Sequence, residues 1–133
     1  MKKVLITGGS GTVGSAFIKK YYNNYQFYSL SRGEEQIAEL KHKYPKVKTL
    51  IRDICDLDQL VNTFESIKPD IVIHAAALKH VNLAEINPSK AVEINLNGSL
   101  NVAKASVRAK VPLTVGISTD KACSPEHVYG YTK

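Results

Sequence analysis

Two residues near the end of the 133-residue chain have the types and the spacing for acid–base chemistry on a hydroxyl group. Tyr129 and Lys133 are four positions apart, so a helix through them places both side chains on one face. The lysine cation favours the ionised phenol, which accepts a hydroxyl proton as hydride leaves the adjoining carbon. The pair follows a predicted fifth strand, at the edge where ligands bind in open α/β sheets. Tyr131 lacks this spacing and is predicted to pack.

A glycine-rich segment from Thr7 to Gly14 follows the first apolar run, Val4-Leu5-Ile6, and opens a segment with helical spacing. Gly8 permits a tight turn, Gly11 lets the backbone approach a pyrophosphate, and Gly14 lets the helix pack close to the strand. The helix N-terminus offers free N–H groups and the positive end of its dipole. Together these features predict a dinucleotide site, the alternative being an ordinary βα turn.

The residues after the second predicted strand indicate which dinucleotide binds. An acid at this point bonds the ribose 2′-hydroxyl of NAD, whereas an arginine accommodates the 2′-phosphate of NADP. Ser31 and Arg32 occupy these positions, and both can donate hydrogen bonds to a phosphate. NADP is therefore favoured over NAD, although Glu34 and Glu35 follow closely enough to keep NAD open.

These residues are carried by a regular alternation of strands and helices. The predicted strands cover residues 4–6, 27–30, 47–51, 71–73 and 113–117. The predicted helices cover 12–22, 33–43 and 56–67, then a long region broken at Asn87-Pro88, and a last helix from near Glu126. Strands without clean polar alternation are buried on both faces. The fold class is therefore α/β, a doubly wound parallel sheet of the Rossmann type, with residues 1–133 as a dinucleotide-binding domain.

The alternation stops inside the last helix, which leaves the fifth strand at the edge of the sheet. An edge strand exposes unpaired N–H and C=O groups, so we expect homo-oligomers or association through this edge. The chain is accordingly interpreted as the N-terminal portion of a longer protein, truncated after the fifth strand.

The composition excludes several classes of protein. Hydrophobic residues make up 44% of the chain, which suits a packed core and not a disordered tail. No apolar run approaches the ~18 residues of a membrane span, and no targeting signal is recognised, so the cytoplasm is the predicted compartment. Cys55 and Cys123 lie far apart without metal-binding spacing, so reduced thiols and no metal site are expected.

The net charge of +6 indicates an anionic partner without specifying it. A nucleic-acid partner would need a basic stripe, or aromatic residues interleaved with Lys and Arg. The aromatic residues are scattered and tryptophan is absent, so nucleic acid is not predicted. A small phosphorylated ligand explains the charge as well.

Further segments indicate a family. Residues 117–122 read ISTDKA, residues 128–133 read VYGYTK, and residues 75–81 read AAALKHV ahead of Asn87-Pro88. In these segments the chain resembles the polysaccharide-biosynthesis branch of the extended short-chain dehydrogenases/reductases. The resemblance covers nearly the whole chain. That branch is typified by inverting UDP-N-acetylglucosamine 4,6-dehydratases and UDP-N-acetylglucosamine epimerases. The Ser-Pro-Glu-His of residues 124–127 departs from the usual pattern, which leaves the exact substrate open.

The resemblance implies a mechanism on a UDP-sugar. Tyr129, helped by Lys133 and Thr119, removes the proton of the C4 hydroxyl as hydride passes to NADP. Lys121 removes the C5 proton that the 4-ketone has made acidic, and a protonated Asp120 donates to the leaving C6 hydroxyl. Hydride then returns to C6 and C5 is reprotonated from the other face. A UDP-sugar 4- or 5-epimerase needs only the first half of this sequence.

The resemblance also implies an adenine contact for Asp53 and a structural role for Asn95. The small residues after the fourth strand leave room for ribose and diphosphate, whereas His74 is predicted to be a satisfied core histidine. The predicted cofactor-contacting residues are Gly8, Ser10, Gly11, Thr12, Val13, Gly14, Ser31, Arg32, Asp53, Ile54, Ala75, Ala76, Ala77, Lys79, Asn95, Tyr129 and Lys133.

Three alternatives stay open. Asp120 and Lys121 could form an exposed ion pair of little energetic value. The chain could be a non-catalytic dinucleotide-binding module, or a remnant that folds without catalysis. We expect the 133 residues alone to bind the cofactor and to form no dehydratase or epimerase product, because a short terminal helix at Tyr129 is marginal.

Overall fold

A computed structural model describes residues 1–133 and contains one parallel sheet between two helical layers. The strands are β1 (Lys3–Thr7), β2 (Gln26–Ser31), β3 (Lys48–Ile51), β4 (Ile71–His74) and β5 (Leu113–Gly116). Their order is β3-β2-β1-β4-β5, and every neighbouring pair is parallel. The order reverses between β1 and β4, so the predicted doubly wound Rossmann fold is confirmed.

The helices lie between the strands at nearly the predicted positions. They are α1 (Thr12–Tyr21), α2 (Glu34–Lys43), α3 (Leu57–Ile67), α4 (Val81–Ile86), α5 (Pro88–Ala91), α6 (Ser99–Arg108) and α7 (Val128–Tyr131). A π-helical segment, Val92–Gly98, joins α5 to α6, and a 3-10 turn covers Asp120–Ala122. None of these helices has the length and apolar character needed to cross a membrane.

The central strand β1 is buried on both faces. Leu5 packs into a cluster with Phe64 and Val102 under α3 and α6. Val4 and Ile6 point to the opposite face, into the cluster that contains Ile18 of α1 and Leu40 of α2. Each large side chain buried in this way stabilises the fold by about 1.5–3 kcal/mol, which explains why the strand is apolar without alternation.

Local signals set the ends of α3. The side chain of Asp56 accepts a hydrogen bond from the Gln59 N–H at 2.9 Å, which satisfies one of the free donors at the helix start. The helix ends at Lys68, whose backbone is left-handed with φ of 51°. Between these ends, Leu60, Phe64 and Ile67 form the apolar face that packs against the sheet.

Strand β5 lies at the edge of the sheet and pairs only with β4. Its apolar side chains are open to solvent: Leu113 is 51% exposed and Val115 is 40% exposed. The expected edge position is therefore confirmed, whereas association through this edge stays a prediction.

A buried histidine connects the C-terminal ends of the central strands. The Nδ1 of His74 lies 2.6 Å from the Thr7 hydroxyl, and its Nε2 lies 2.9 Å from the Ser99 hydroxyl. Because the Ser99 hydroxyl donates to the Asn95 carbonyl, it accepts from Nε2–H, and Nδ1 accepts from Thr7. Burial, and secondarily the charge of Lys133, lower the pKa of His74 to about 4. His74 is thus a satisfied core residue, as expected.

This histidine makes stability depend on pH. Its pKa is about 4 when folded and 6.5 when unfolded, so the folded state favours the neutral ring. The contribution is present above about pH 6.5 and is lost as pH falls towards 4, with a maximum loss of about 3 kcal/mol. Urea unfolding across this range measures the slope. A His74→Asn variant should lose most of that slope, whereas the exposed His42→Asn should keep it; equal slopes for all three proteins would contradict this assignment.

Candidate cofactor and substrate site

A cavity of about 330 Å³ opens where the order of strands reverses, above the C-terminal ends of β1, β2 and β4. Open α/β sheets bind their ligands at this point because the helices diverge there. The structure brings thirteen predicted cofactor-contacting residues to its walls. They are Gly8, Ser10, Gly11, Thr12, Val13, Gly14, Ser31, Arg32, Ile54, Ala75, Ala76, Ala77 and Lys79.

The N-terminus of α1 is left free at this cavity. Its N-cap, Gly11, has no side chain to accept a hydrogen bond, and the first turn contains no acidic residue. The N–H groups of Thr12, Val13 and Gly14 have no partner within the helix, because the first turn of a helix always lacks one. Helix α3, in contrast, is capped by Asp56. An anion at the α1 N-terminus would satisfy these donors and the helix dipole.

Gly14 lets α1 begin close to the end of β1, and Gly8 lets the β4–α4 loop approach the same turn. Gly8 adopts φ of 74°, a left-handed conformation, and a Cβ there would lie 2.8 Å from the Ala76 nitrogen. A Cβ on Gly14 would lie 2.5 Å from the Gly9 Cα and 2.6 Å from the Gly8 carbonyl oxygen. A side chain at position 14 would push the helix away and move its N–H groups from the cavity, and one at position 8 would displace the Ala75–Ala76 backbone.

The end of β2 combines a polar pair with an arginine. The Ser10 hydroxyl donates to the Ser31 hydroxyl at 2.8 Å, so the Ser31 proton is free for another acceptor. Arg32 lies at the cavity wall, with its guanidinium 4.0 Å from the Asp53 carboxylate. Both side chains of this pair are about half exposed, so the pair is weak and a phosphate could displace it.

Asp53, for which an adenine contact is predicted, lies in the turn between β3 and α3. Its carboxylate accepts a hydrogen bond from the Cys55 N–H at 2.9 Å, and it does not line the cavity. The neighbouring Ile54 does line it, so the β3–α3 turn reaches the cavity through an apolar side chain. The adenine contact of Asp53 stays a prediction.

Sequence reasoning missed five residues that line the same cavity: Leu30, Gly33, Gln36, Arg52 and Ile94. Arg52 directly follows β3, so the rule that ligands bind at strand ends could have found it. Its Nε donates to the Thr63 hydroxyl at 2.9 Å, which anchors the guanidinium on α3. Ile94 reaches the cavity from the π-helical segment, a contact that no local pattern indicates.

A second cavity, of about 260 Å³, contains two of the predicted catalytic residues, Lys121 and Tyr129. The remaining lining residues are Val81, Cys123, Ser124, Glu126, His127 and Gly130. Gly130 lets α7 pack directly on the 3-10 turn, because a Cβ there would collide with the Lys121 carbonyl oxygen. This contact places the phenol-bearing helix beside Lys121.

Thr119 and Asp120, the other two predicted catalytic residues of this segment, precede Lys121 and do not line the second cavity. The Thr119 hydroxyl accepts from the Lys121 N–H at 3.4 Å and donates to the Asp120 carboxylate at 3.1 Å. Lys121 Nζ lies 3.9 Å from the same carboxylate. The Asp120 side chain is 92% exposed, so this ion pair alone contributes little stability.

Glu85 of α4 holds the start of α7. One carboxylate oxygen accepts the Val128 N–H at 2.5 Å and lies 3.8 Å from Nδ1 of His127. The Val128 N–H is one of the donors left free at a helix start, so the carboxylate serves as its cap from another element. No sequence pattern indicated this residue, which lies 43 positions away.

The helical face expected for Tyr129 and Lys133 is not formed, because α7 ends at Tyr131. Lys133 Nζ instead donates to the Ile117 carbonyl at 3.2 Å, and partial burial lowers its pKa. Neither Tyr129 nor Lys133 lines the first cavity. The expected packing of Tyr131 is wrong: its side chain is 69% exposed, since one helical turn leaves it facing solvent.

The buried side chain of Asn95 makes hydrogen bonds to two separate segments. Its side chain accepts from the Leu78 N–H at 2.8 Å and donates to the Leu78 carbonyl at 3.1 Å. It also donates to the Thr132 hydroxyl at 3.1 Å, which in turn bonds the Tyr129 carbonyl. Asn95 therefore joins the β4–α4 loop to the end of α7, and it does not line the cofactor cavity.

The amino-acid sequence matches a known family over almost its full length. Residues 4–133 match the polysaccharide biosynthesis protein family. The chain belongs to that family. It is 37% identical over 137 residues to a UDP-N-acetylglucosamine 4,6-dehydratase (inverting) of Campylobacter jejuni, covering 99% of the chain and 40% of that relative. It is 31% identical over 140 residues to a UDP-glucose 4-epimerase of Rickettsia bellii, with the same two coverages.

Solved structures agree on the fold. Pen from Bacillus thuringiensis superposes with a TM-score of 0.92 and 37% identity, covering 99% of this chain and 41% of that one. WbmG from Bordetella bronchiseptica, solved in complex with NAD, gives 0.85 and 25% identity, covering 98% and 46%. The family member described here thus spans about 40% of the length of the curated relatives it matches.

The glycine contacts yield a testable difference. Gly14→Ala should destabilise the protein by about 1–3 kcal/mol, because the added Cβ overlaps the Gly8–Gly9 backbone. It should also raise the Kd for the dinucleotide about tenfold, since the α1 N–H groups move. Gly116→Ala is the matched control, because nothing lies within 4 Å of its added Cβ. Thermal unfolding and fluorescence titration with NADPH measure both effects; a neutral Gly14→Ala would contradict them.

Proposed function

We propose that the chain carries the NADP site and part of the catalytic site of a nucleotide-sugar-modifying enzyme, an inverting UDP-N-acetylglucosamine 4,6-dehydratase. The observation that carries the proposal is that Lys121 and Tyr129, chosen from the sequence, line one cavity. The dinucleotide cavity lies at the same edge of the sheet. Sugar and cofactor could therefore meet above the strand ends, as hydride transfer requires.

The residues of the first cavity fit a dinucleotide phosphate. Three N–H groups of α1 lack partners there, and no acid competes for them. Ser31 and Arg32 would hold a 2′-phosphate, which supports NADP. NAD remains the alternative cofactor because WbmG, at 25% identity, binds NAD. Either cofactor, when bound, supplies a carbon that accepts and returns hydride.

The residues of the second cavity would move the protons. Tyr129 takes the proton of the sugar C4 hydroxyl, and Lys133 and Thr119 support it by charge and hydrogen bonding. Lys121 takes the C5 proton, and Asp120 donates a proton to the departing C6 hydroxyl. Asp120 and Lys121 are both largely exposed, so substrate or additional protein must exclude water before they act as acid and base.

An epimerase is the second candidate, supported by the 31% identity to UDP-glucose 4-epimerase. A 4-epimerase would use Tyr129 to remove and return the C4 hydroxyl proton and would not need Asp120 and Lys121, whereas a 5-epimerase would still need Lys121 to remove the C5 proton. In a longer protein that contains these residues and turns over, loss of product on Lys121→Ala therefore favours the dehydratase, whereas retention favours the 4-epimerase. The cytoplasmic site of action, the single-domain division over 1–133 and homo-oligomer formation also remain proposals.

Cofactor preference tests the first half of the proposal. NADP should bind more tightly than NAD, because Ser31 and Arg32 replace the ribose-binding acid. Arg32→Ala should weaken NADP binding about tenfold and change NAD binding little, since only NADP has the 2′-phosphate. Calorimetric titration measures both, with the remote Arg108→Ala as the control. Tighter binding of NAD, or an unchanged NADP affinity in Arg32→Ala, would contradict the preference.

Thiol labelling tests whether the second cavity binds a UDP-sugar, and it does not require turnover. Cys123 is exposed in the second cavity, whereas burial and the Asp53 carboxylate raise the pKa of Cys55 to about 11. Iodoacetamide at neutral pH should therefore label Cys123 and spare Cys55. UDP-N-acetylglucosamine should slow that labelling several-fold, and AMP should not. A labelling rate insensitive to the UDP-sugar would contradict a substrate site here.

Product analysis completes this test. With NADP and UDP-N-acetylglucosamine, we expect the 133 residues to give no 4-keto-6-deoxy sugar and no C4 or C5 epimer, because α7 is a single turn. Product that disappears in Lys121→Ala would overturn the expected inactivity and support the dehydratase.

A further inference from the structure

The excess of basic over acidic residues lies at the end of the sheet where the strands begin, opposite the end that carries the cavities. In a parallel α/β fold, helix C-termini lie at the same edge as strand N-termini. The last turns of α1, α2 and α6 contain lysine or arginine. We call the following exposed set the basic edge: Lys2, Lys19, Lys20, Lys41, Lys43, Lys46, Lys68, Arg108 and Lys110. The acids near it are Glu39, Glu65 and Asp70.

None of these cations is neutralised by an ion pair. The four ion pairs of the protein join Arg32 to Asp53, Lys90 to Glu93, Lys121 to Asp120, and His127 to Glu85. All of them lie away from the basic edge. The net charge of +6 is therefore not concentrated around the phosphate-binding loop, and a small phosphorylated ligand does not account for it.

Tyrosines support the lysines at the centre of the basic edge. Tyr22 and Tyr44 are in contact, with ring centroids 5.2 Å apart. Lys46 Nζ lies 5.6 Å from the centre of the Tyr22 ring, and Lys43 Nζ lies 5.8 Å from that of Tyr44. The Tyr22 hydroxyl also accepts a hydrogen bond from the backbone N–H of Lys46 at 3.0 Å. These contacts hold the aliphatic stems on the rings while the ammonium groups face solvent.

Helix dipoles explain only part of this distribution. Cations in the last turn of a helix complement its negative end. Lys2 and Lys46 precede β1 and β3 and belong to no helix. The groove between α1 and α2 contains Glu39 beside Lys19 and Lys43, so it does not form a discrete pocket for one anion. The charge is spread over an edge instead.

We propose that the basic edge docks this protein on an anionic lipid surface. Lysine charges spread over a surface suit the anionic headgroup layer of a membrane. A nucleic-acid surface would need several arginines for bidentate phosphate contacts, and exposed aromatic rings for stacking on bases. Within the basic edge, Arg108 is the one arginine and Tyr44 is buried. Docking in this orientation leaves both cavities open on the side away from the lipid.

Vesicle sedimentation tests the docking. The chain should bind vesicles containing about one-third phosphatidylglycerol and not vesicles of phosphatidylcholine alone. Binding should disappear at about 1 M salt, where the Debye length falls to roughly 3 Å. Each lysine at the surface contributes about fivefold to the partition coefficient, so Lys43→Gln/Lys46→Gln should reduce it roughly 25-fold.

A matched variant separates docking from net charge. Lys90→Gln/Lys104→Gln removes the same charge outside the basic edge and should change partitioning less than about threefold. NADP affinity and thermal unfolding of both double variants should match the parent, so the outcome is independent of the proposed enzymatic function. Equal losses in the two double variants would overturn the proposal. So would absent binding to anionic vesicles, or displacement of bound protein by a short polynucleotide below the lipid concentration.

Discussion

The site depends on the close contact between the start of α1 and the end of β1. The helix begins over the strand because Gly14 presents no side chain towards the Gly8–Gly9 backbone. Gly8 and Gly9 in turn leave room for the Ala75–Ala76 backbone and for the Ser29 side chain. This contact directs three free N–H groups into the cavity at the reversal of strand order. Residues that follow β2, β3 and β4 line the same cavity. The geometry of these free N–H groups is therefore a backbone property, which side chains elsewhere support.

Buried polar contacts extend this order from the cofactor cavity to the second one. Thr7, His74 and Ser99 form a chain of hydrogen bonds across β1, β4 and α6. Asn95 continues it to Leu78 and Thr132, and so to the helix that carries Tyr129. A half-satisfied network in a low-dielectric interior would be costly, so its members keep the loops in one arrangement. The π-helical segment presents Asn95 at the required position.

The parallel sheet gives the protein two ends with different properties, one where the strands end and one where they begin. Strand C-termini and helix N-termini meet at one edge, where free N–H donors and the 118–133 segment gather. Helix C-termini meet at the other, where lysines complement carbonyl groups and remain unpaired with acids. Chemistry and charge are thus separated by the same topology. This separation explains why a net charge of +6 gives little information about the ligand of the cavity.

Local sequence determined the elements, the fold class and most of the cofactor cavity. Strand runs, the Asp56 cap and the glycine loop act over a few residues, so their structural consequences can be derived from neighbours alone. Thirteen predicted residues reach one cavity because strand C-termini share an edge.

Tertiary structure decided what joins distant segments. The Glu85 contact with α7, the Asn95 bonds to Leu78 and Thr132, and the Arg52 anchor on Thr63 are contacts between separate elements. Lys133 donates to the carbonyl of Ile117, which directly follows β5 and lies 16 positions away. Such contacts depend on side chains that meet only after the sheet has formed, and no local pattern encodes which partner a polar group will find.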